Sequence, residues 1–463
     1  MVLNGKRSTL LITVYITAVI TLNGCKKADK TGLSTGPVTN TEINTWMLDS
    51  LKRYYYWADN LPANTINGND PIAYFKYVKN NADRFSFITL PGSETSLQAT
   101  SRSKYGFDYL VFTEPVNGQV LGVITLALSN SPAQTAGLKR GRYFTRINGT
   151  QLTNDNIEEL QSQLLKNSSV QLMQASYEDG VIKETGTANI LEGRTFEENS
   201  IAKVFDNGGK KIAYLYFTQF NNTDREAYTG VFADYKAAGV TDIILDMRYN
   251  SGGDVAAAAA LCSMLAPGIN AASPFIEYRG NKNGGIRKES FRAAAEAFGG
   301  PAFAELQQQN LTLTKIYALT TGATASAAEL VLNNLKPYIT VIQIGTKTRG
   351  KDEASITISD KRDNKRIDWV MYPIVYKLYN ALGTGGYANG IPADISMPEA
   401  DNLPLQPFGN EFDPMIQHAL KIIRGEAALQ LKQTSPHNSF SVQPGELFNS
   451  AVKAAGEKPL LAR

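Results

Sequence analysis

The sequence predicts a multi-domain α/β fold, and three observations support this. Short apolar runs alternate with helical patterns over residues 211–265, which is typical of parallel strands joined by helices. The alternation returns at residues 315–351, where an apolar run precedes a small-residue turn, a helical pattern and a second apolar run. Residues 41–80 carry apolar side chains at helical spacing. A chain of 463 residues is long enough for two or three domains.

The composition is that of a folded protein without features of nucleic-acid binding. Hydrophobic residues make up 43% of the chain and charged residues 19%, which suits a protein with a substantial core. The net charge is only +3 and there is no strongly basic block, so a nucleic-acid partner is not expected. No His and Cys residues cluster at metal-ligand spacing, so neither a metal nor a cofactor is implied.

The first 25 residues have the pattern of a lipoprotein signal peptide. Two basic residues precede an apolar run over residues 10–22, which is short for a membrane span. The run ends in the letters LNGC, which resemble a bacterial lipobox and imply a lipid on Cys25. Asn23 departs from the small apolar residue usual there, and an ordinary signal peptide with an incidental cysteine is the alternative. Residues 26–40 are polar and indicate a tether.

A small helical N-terminal domain is predicted over residues 41–100. Apolar side chains recur at helical spacing in residues 43–55, and Thr41 is a suitable N-cap for that helix. A second helix is predicted over residues 71–80, with apolar side chains on one side. These two helices define the first unit of the mature chain.

A second unit is predicted over residues 104–194. Residues 131–150 contain a short helical pattern, glycine turns and a strand that ends in Asn-Gly, which is a strong turn signal. A later helix is predicted over residues 154–166, where leucine and isoleucine side chains fall on one face. The pattern indicates a small β domain that carries at least one longer helix.

Two glycines follow a predicted strand at residues 241–245. The loop DMRYNSGGD, residues 246–254, lets the backbone turn tightly and bring its N–H groups close to a ligand. Asp254 is a good N-cap for the alanine-rich helix that follows. A plain strand-to-helix turn is the alternative interpretation of this loop.

Ser326 is predicted at the start of a helix, next to N–H groups that have no partner within the helix. This position suits a nucleophile whose attack creates an oxyanion, but a serine hydroxyl needs a base. The only histidines, His418 and His437, lie far away in the sequence, whereas Lys351 follows in a nearby loop. A buried lysine loses affinity for its proton and can serve as base. Taken singly, an N-capping serine and a solvated loop lysine would be ordinary.

Together these motifs resemble the carboxy-terminal processing, or tail-specific, proteases, a family of Ser-Lys endopeptidases. The letters ATASAAE at residues 323–329 are similar to the family's nucleophile turn, and residues 345–351 follow its G-x-K-T-x-G-K loop. The resemblance implies a crotonase-like α/β protease core over residues 200–425. It also implies that Ser326 is the nucleophile and Lys351 the base.

The resemblance further implies an oxyanion hole and a group that orients the lysine. One N–H of the hole would come from Ala327, and the other from Gly252 or Gly253, between which the sequence does not choose. The family often has a glutamine four residues after the lysine, where this chain has Ser355. Ser355 could orient Lys351 through its hydroxyl, or another group could do so.

Residues 131–149 resemble a PDZ domain, which implies that residues 104–194 form an inserted PDZ-like β domain. In this resemblance Tyr105, Gly106 and Phe107 correspond to the loop that binds the terminal carboxylate of a peptide through backbone N–H groups. A β domain that only packs against the core is the alternative.

The remaining stretches are less informative. Residues 270–309 are predicted to be irregular, residues 368–379 a strand or hairpin, and residues 413–424 the last amphipathic helix. The polar tail, residues 426–463, is predicted to be poorly ordered.

The expected protein is a membrane-tethered serine endopeptidase of the bacterial cell envelope, lipid-anchored on the periplasmic or surface side. Its partners would be protein or peptide substrates, recruited by their C-termini, and a membrane. Two rivals remain: an inactive peptide-binding lipoprotein, and a binder of hydrophobic ligands on the same fold. The presence of both Ser326 and Lys351 favours the enzyme, whereas the unusual Ser355 does not.

Overall fold

The structure, a computed structural model, describes residues 36–63, 68–92, 99–178, 181–193, 199–426 and 445–455. The predicted signal peptide, its Cys25 and most of the predicted tether lie outside these residues. Residues 36–38 form no helix or strand. From residue 39 onward the described residues group into one unit by their contacts, and this unit contains every described helix and strand. None of the described helices is long and apolar enough to cross a membrane.

The N-terminal unit is mainly helical, as predicted. It consists of α1 (Asn40–Tyr54), a 3-10 turn (Ala58–Asn60), α2 (Pro71–Val78) and β1 (Phe87–Thr89). The N-cap of α1 is Thr39, whose hydroxyl accepts a hydrogen bond from the N–H of Glu42 (3.2 Å). The prediction of Thr41 as the cap was wrong, because the extended backbone that a cap requires occurs two residues earlier.

A β unit, residues 101–191, comes next in the chain. Its elements are α3 (Ser101–Tyr105), β2 (Phe107–Thr113), β3 (Val120–Ala127), α4 (Pro132–Thr135), β4 (Tyr143–Ile147), β5 (Thr150–Gln151), α5 (Ile157–Lys166), β6 (Ser169–Glu178) and β7 (Val181–Leu191). The strands pair antiparallel in the order β2-β3-β4-β6-β7, with β5 on β4. The Asn-Gly turn forms with positive φ at both Asn148 and Gly149. Helix α5 begins three residues later than predicted and buries Ile157, Leu160 and Leu164.

The remaining chain forms the α/β core. Its strands are β8 (Ser200–Asn207), β9 (Lys210–Phe217), β10 (Asp242–Asp246), β11 (Pro274–Gly280), β12 (Ile286–Ser290), β13 (Lys315–Thr320), β14 (Thr340–Gly345), β15 (Glu353–Ser355), β16 (Ile358–Ser359), β17 (Val370–Tyr372), β18 (Ile374–Tyr379) and β19 (Ile395–Ser396). Its α-helices are α6 (Arg225–Ala237), α7 (Val255–Leu265), α8 (Phe291–Ala295), α9 (Phe303–Gln308), α10 (Ala327–Leu335) and α11 (Pro414–Arg424), and 3-10 turns lie at Asn222–Asp224 and Glu399–Asn402.

A six-stranded sheet with the order β19-β14-β13-β10-β9-β8 is the centre of this core. All its strands are parallel except β8, which runs antiparallel to β9. Successive side chains of β9 face opposite sides of the sheet. Leu215 and Phe217 pack with helices α6, α7 and α10, whereas Tyr214 and Tyr216 pack with α11. The predicted α/β class is therefore confirmed, and the strands are buried on both faces as in other parallel sheets.

Two predictions for the core were wrong in detail. Residues 270–309 are not irregular, because they contain the β11–β12 hairpin, α8 and α9. Residues 368–379 do contain strands, but β17 and β18 are separated at Pro373 and join different sheets. Strand β18 pairs with β11 and β15, while β17 pairs with β16 and with β1 of the N-terminal unit. The N-terminal unit is thus joined to the core through a shared sheet.

The end of the described chain is also ordered. Residues 445–455 contain β20 (Gly445–Asn449) and α12 (Ser450–Ala454), and β20 pairs antiparallel with β2 of the β unit. The prediction of a poorly ordered tail over residues 426–463 was wrong here, because an apolar side chain, Phe448, is buried among those of the β unit. Composition alone could not predict this pairing with a distant strand.

Candidate active site

Three loops of the core meet because they follow three neighbouring parallel strands. Strands β10 and β13 are paired with Asp246 opposite Leu319, and β13 and β14 with Thr320 opposite Gly345. The carboxyl ends of parallel strands lie at one edge of a sheet, where open α/β folds commonly bind ligands. The loops at this edge contain the Gly-Gly pair, Ser326 and Lys351, respectively. The fold therefore brings together residues that the sequence analysis selected from separate motifs.

Ser326 lies at the N-cap of α10 with φ of 60°. A positive φ is uncommon for a residue with a side chain and is often found at functional sites. Polar contacts hold the turn to the loop after β10. The N–H of Ala325 donates to the carbonyl of Asn250 (3.0 Å), and the hydroxyl of Thr324 donates to the carbonyl of Met247 (2.8 Å). These contacts provide a physical basis for the strained turn.

The hydroxyl of Ser326 is buried and makes no hydrogen bond with another described residue. The predicted contact between Ser326 and Lys351 is therefore not formed as a hydrogen bond in this conformation. Catalytic hydrogen bonds are often long or poorly aligned in proteins without substrate and tighten when substrate binds.

Gly252 is in close contact with the Ser326 turn. A Cβ atom at Gly252 would lie 2.5 Å from the Cβ of Ser326 and 2.9 Å from the backbone nitrogen of Ala327. The φ of Gly252, 99°, also favours glycine. Its N–H donates to Oδ1 of Asn250 (2.9 Å). Only a residue without a side chain allows this approach.

Gly253 has a different environment. Its φ is 135°, and a Cβ atom there would overlap the carbonyl oxygen of Phe220. Within the part of the chain that the structure describes, the N–H groups of Gly253 and Ala327 make no hydrogen bond. Of the two glycines, Gly253 is thus the one whose N–H is uncommitted in this conformation. The assignment of the oxyanion hole stays a prediction.

Lys351 is fully buried at the end of the loop after β14. Burial lowers the pKa of Lys351 to about 7, although the carboxylates of Glu353, Glu329 and Asp83 act in the opposite direction. The ring of Phe85 covers the amine, with its centre 4.9 Å from Nζ. At neutral pH a lysine in this environment has a large neutral fraction, which is what a general base requires.

Glu329 connects the two predicted catalytic residues, and the sequence analysis assigned it no role. Its Oε2 accepts hydrogen bonds from the N–H of Ser326 (2.9 Å) and from the N–H of Lys351 (2.7 Å). Its Oε1 accepts from the hydroxyl of Thr348 (2.5 Å) and the N–H of Gly350 (2.6 Å). Burial raises the pKa of Glu329, while these hydrogen bonds oppose that shift. One signal could have found it, since a Glu three residues after an N-cap serine is a capping-box pattern.

The N-terminal unit supplies part of the lysine site. Arg84 donates through Nη2 to the carbonyls of Gly350 and Ala388 (2.7 Å for Ala388). Asp83 holds the adjacent backbone, because its Oδ1 accepts from the N–H of Phe85 (3.0 Å). The sequence gives no local signal for these contacts, because they join residues that are far apart in the chain.

Ser355 does not hold Lys351 in this conformation. Its hydroxyl is buried and makes no hydrogen bond with any described residue, so the expectation that it orients the lysine finds no support. Asp254 is at the N-cap position of α7 as predicted, but its side chain does not cap that helix. Its Oδ2 instead accepts from the N–H of Asn222 (3.1 Å).

The predicted carboxylate loop lies in the β unit, at the start of β2. Tyr105 ends α3, and its single hydroxyl hydrogen lies between two acceptors, the carbonyls of Asn167 (2.6 Å) and Leu164 (3.0 Å). The N–H of Gly106 donates to the carbonyl of Arg102 (3.0 Å) as the C-cap of α3. One of the loop amides is therefore already engaged, and carboxylate binding by Tyr105, Gly106 and Phe107 stays a prediction.

Two stretches of the chain match known protein families. Residues 211–397 match Peptidase family S41, and residues 42–87 match the Peptidase S41 N-terminal domain; the two matches together span half of the chain. A crystal structure from Bacteroides fragilis NCTC 9343 that is assigned to the S41 proteases is 28% identical, with a TM-score of 0.66. The similarity covers 83% of this chain and 98% of the Bacteroides fragilis chain.

Curated relatives agree with these matches. The Carboxyl-terminal-processing protease of Picosynechococcus sp. is 26% identical over 277 residues, or 58% of this chain and 60% of that protein. The protein of the same name from Synechocystis sp. is 24% identical over 272 residues, or 58% of each chain. The chain therefore spans at most 60% of the length of these two relatives. On the family matches and the shared fold, the chain belongs to peptidase family S41.

Proposed function

We propose that the protein is a serine endopeptidase in which Ser326 is the nucleophile and Lys351 the general base. The Ser326 hydroxyl attacks a peptide carbonyl carbon while its proton passes to the neutral amine of Lys351. The resulting ammonium then protonates the leaving amine, and a water molecule hydrolyses the acyl-enzyme. The observation that carries this proposal is the full burial of Lys351 on a loop that Glu329 ties to the backbone of Ser326.

The oxyanion formed by this attack needs hydrogen-bond donors. Ala327 and Gly253 are the candidates whose N–H groups are uncommitted among the described residues, whereas a Gly252 donor would have to leave Asn250. Loss of one such donor typically costs ~2.7–4 kcal/mol of transition-state stabilisation.

Cleavage of an unfolded protein with an apolar C-terminus tests the proposal. Ser326→Ala should abolish cleavage, and it should change the melting temperature little because only a hydroxyl is removed. Lys351→Arg should be inactive as well, because a guanidinium keeps its proton in this pH range. Lys347→Arg is the matched control, since Lys347 lies in the same loop but is exposed. An active Ser326→Ala or Lys351→Arg protein would exclude the proposed dyad.

The pH dependence of cleavage is a second test of the base. A lysine must be neutral to accept a proton, so the rate should fall as pH drops below about 7 and level off above it. A pH–rate profile of the unchanged protein measures this fall in rate at acid pH directly. A rate that rises only near the pKa of ordinary lysine, ~10.4, would contradict a buried base.

Substrates are proposed to be recruited by their C-termini through the β unit. The support is that β2 is paired with β3 on one side and accepts a short added strand, β20, on the other, which is the side where an extended peptide could bind in place of β20. Peptides with a free and an amidated C-terminus should then differ in affinity, since the carboxylate is the group to be held. Equal affinities would remove the carboxylate-binding role of Tyr105, Gly106 and Phe107.

The proposed site of action is the bacterial cell envelope, with a lipid on Cys25 as the membrane anchor. The support is the signal-like pattern of the first 25 residues. Cys25→Ala protein should be lost from the membrane fraction or remain unprocessed. Variant protein that is processed and sediments with membranes like the unchanged protein would argue against lipidation.

A peptide-binding protein without activity is the second candidate function. The observation in its favour is that the buried Ser326 hydroxyl makes no hydrogen bond within the described residues. The cleavage experiment separates the two, because a pure binder would hold the unfolded protein without shortening it.

A further inference from the structure

The C-terminal segment, residues 445–455, fills the edge of the β unit where an added strand would lie. Strand β20 pairs antiparallel with β2, with Asn449 opposite Leu110 and Phe448 opposite Val111. Without β20, β2 would be an exposed edge with unpaired N–H and carbonyl groups. The segment therefore makes the main-chain contacts that β-strand addition offers to a peptide.

One side chain anchors this strand. Phe448 is only 4% exposed and stacks on Tyr109, with ring centres 5.5 Å apart. It belongs to the apolar cluster that includes Ile157 and Leu160 of α5. Leu447, its neighbour, is 39% exposed. The groove between β2 and α5 thus holds a large apolar side chain at one position and leaves the next one outside.

The segment then continues towards the candidate active site. The N–H of Tyr109 donates to the hydroxyl of Ser450 (2.9 Å), where α12 begins. Ala451 and Ala455 pack with Ala323 and Ala325 of the nucleophile turn.

A hydrogen bond also reaches the lysine loop. Arg349, two residues before Lys351, donates through Nε to the carbonyl of Ala455 (3.0 Å). Lys453 forms an ion pair with Glu158 of α5. One short segment therefore contacts the β unit and both of the loops that carry Ser326 and Lys351.

We propose that the C-terminal segment is an internal ligand that competes with substrate for the β2 edge and restrains the peptidase while it is bound. The favoured substrates are extended peptide segments with a large apolar or aromatic residue at the position of Phe448. Such a segment displaces residues 445–455 and thereby removes the contacts of α12 with the nucleophile turn. The proposed restraint of the peptidase rests on the proposed function, whereas occupation of the groove by residues 445–455 can be measured without cleavage.

The binding test uses full-length protein with Ser326→Ala, so that no peptide is cleaved. The probe is a fluorescein-labelled synthetic peptide of residues 445–455, followed by fluorescence anisotropy. Adding Phe448→Ala to the protein should tighten peptide binding at least ten-fold, because the internal competitor has lost its anchor. Leu447→Ala is the matched control on the same strand and should leave the affinity unchanged.

A probe peptide with alanine in place of its phenylalanine should bind at least ten-fold more weakly to the Phe448→Ala protein. Equal affinity of the unaltered probe for the parent and Phe448→Ala proteins, or no binding to either, would overturn the inference.

A second variant covers the case in which Phe448→Ala does not fold, as judged by circular dichroism. Lys453→Glu places two carboxylates next to each other and removes the ammonium that lies 5.0 Å from the ring centre of Phe448, while the Phe448 side chain itself is retained. It should tighten peptide binding two- to five-fold, and the added Glu158→Lys change should reverse most of this gain, because it restores the ion pair. An unchanged affinity for Lys453→Glu would then decide against the inference.

Whether the segment restrains the peptidase is tested by cleavage with protein that retains Ser326. Phe448→Ala should raise the initial rate on an unfolded protein at least three-fold. Tighter peptide binding without a faster cleavage rate would show that the segment occupies the groove but does not restrain the active site. That result would overturn the proposed restraint. If no variant cleaves while the peptide result holds, the proposed function fails and the assignment of the groove is supported.

Discussion

A single carboxylate joins the nucleophile turn to the lysine loop. Both N–H groups that meet at Oε2 of Glu329 belong to residues proposed to act directly on the substrate, Ser326 and Lys351. Such a contact sets the relative position of two backbones, which is the kind of support that precise catalytic geometry requires. We assign Glu329 a positioning role.

Glu329→Gln should lower both stability and cleavage rate. Each oxygen of the carboxylate accepts hydrogen bonds from two donors. The amide has only one carbonyl oxygen and can therefore accept from only one of these two pairs. Leaving buried donors unsatisfied should cost ~2–4 kcal/mol of unfolding free energy, and the rate should fall at least ten-fold. Denaturant unfolding and initial rates measure the two effects. Glu305→Gln, on the exposed side of α9, is the control and should change neither. A Glu329→Gln enzyme with full activity would disprove the positioning role.

Phe85 should control the pH range of activity. Its ring excludes water from Lys351, which favours the neutral amine, but an aromatic face also attracts an ammonium, which favours the charged form. Burial is the dominant cause of the lowered pKa of Lys351. Phe85→Ala should therefore raise that pKa and move the acid limb of the pH–rate profile upward by ~1 unit.

Phe87→Ala is the control for this change. Its ring stacks on Tyr372, with centres 4.8 Å apart, so its loss should weaken the fold without moving the limb. A downward shift for Phe85→Ala would mean that the attraction between ring and ammonium outweighs dehydration.

The residues differ in how far the sequence could identify them. Ser326 and Lys351 were predicted because each lies in a local pattern of turn, helix or loop. Glu329 has a local signal in its spacing from Ser326, since a glutamate three residues after an N-cap serine is a capping-box pattern. Phe85 could not be predicted, because its contact with Lys351 depends on how two distant parts of the chain pack.

At the scale of elements, the close approach of two loops is the feature that builds the site. The loop after β10 and the turn after β13 are neighbours because their strands are paired, and Gly252 is where they touch. The alternation of strands and helices predicted parallel strands correctly, but it did not predict which strands are paired or that these two loops touch.

Gly252→Ala tests the close approach. Its Cβ would press on Ser326 and on the Ala327 nitrogen, and φ of 99° is unfavourable for alanine. The change should cost roughly 1–3 kcal/mol of stability and lower the cleavage rate at least ten-fold. Gly230→Ala is the control, because Gly230 lies in α6 with open space around it. That change should add ~0.5–1 kcal/mol of stability and leave the rate unaltered. A fully active Gly252→Ala enzyme would show that the loops need not touch.

The elements that the sequence missed share one cause. The hairpin β11–β12 pairs with β18, and β20 pairs with β2, so each depends on a partner far away in the chain. The spacing of apolar residues within a short stretch shows which face of a helix or strand is apolar, but it does not show which distant strand pairs with it. Short strands with polar surroundings are therefore difficult to predict from local sequence.

At the scale of the whole molecule, the lowered pKa of Lys351 is also a property of stability. The unfolded chain holds a lysine proton up to about pH 10.5, whereas the folded protein releases it near 7. Between these values the unfolded state binds more protons, so this group makes the unfolding free energy increase with pH. Below about 7 both states are protonated and the slope from this group disappears.

Lys351→Met should remove this slope and stabilise the protein at neutral pH. Between pH 7 and pH 9 the unfolding free energy of the unchanged protein should rise by ~2 kcal/mol more than that of Lys351→Met. Denaturant unfolding of both proteins at the two pH values gives this difference, in which contributions from other groups largely cancel. Lys347→Met, in the exposed position of the same loop, should retain the slope. Parallel pH dependences for Lys351→Met and the unchanged protein would mean that Lys351 is solvated.

The pairing of β1 with β17 determines at what stage of folding the proposed base becomes neutral. Phe85 is two residues before β1, so the lysine is sealed from water only after the first unit of the chain has joined a strand formed much later in synthesis. A chain in which these strands are not yet paired leaves the amine hydrated and protonated, and on the proposed mechanism it is therefore inactive. Cleavage by the proposed dyad would therefore begin only once the last stretches of the core are in place, so that partly folded copies would not cut one another.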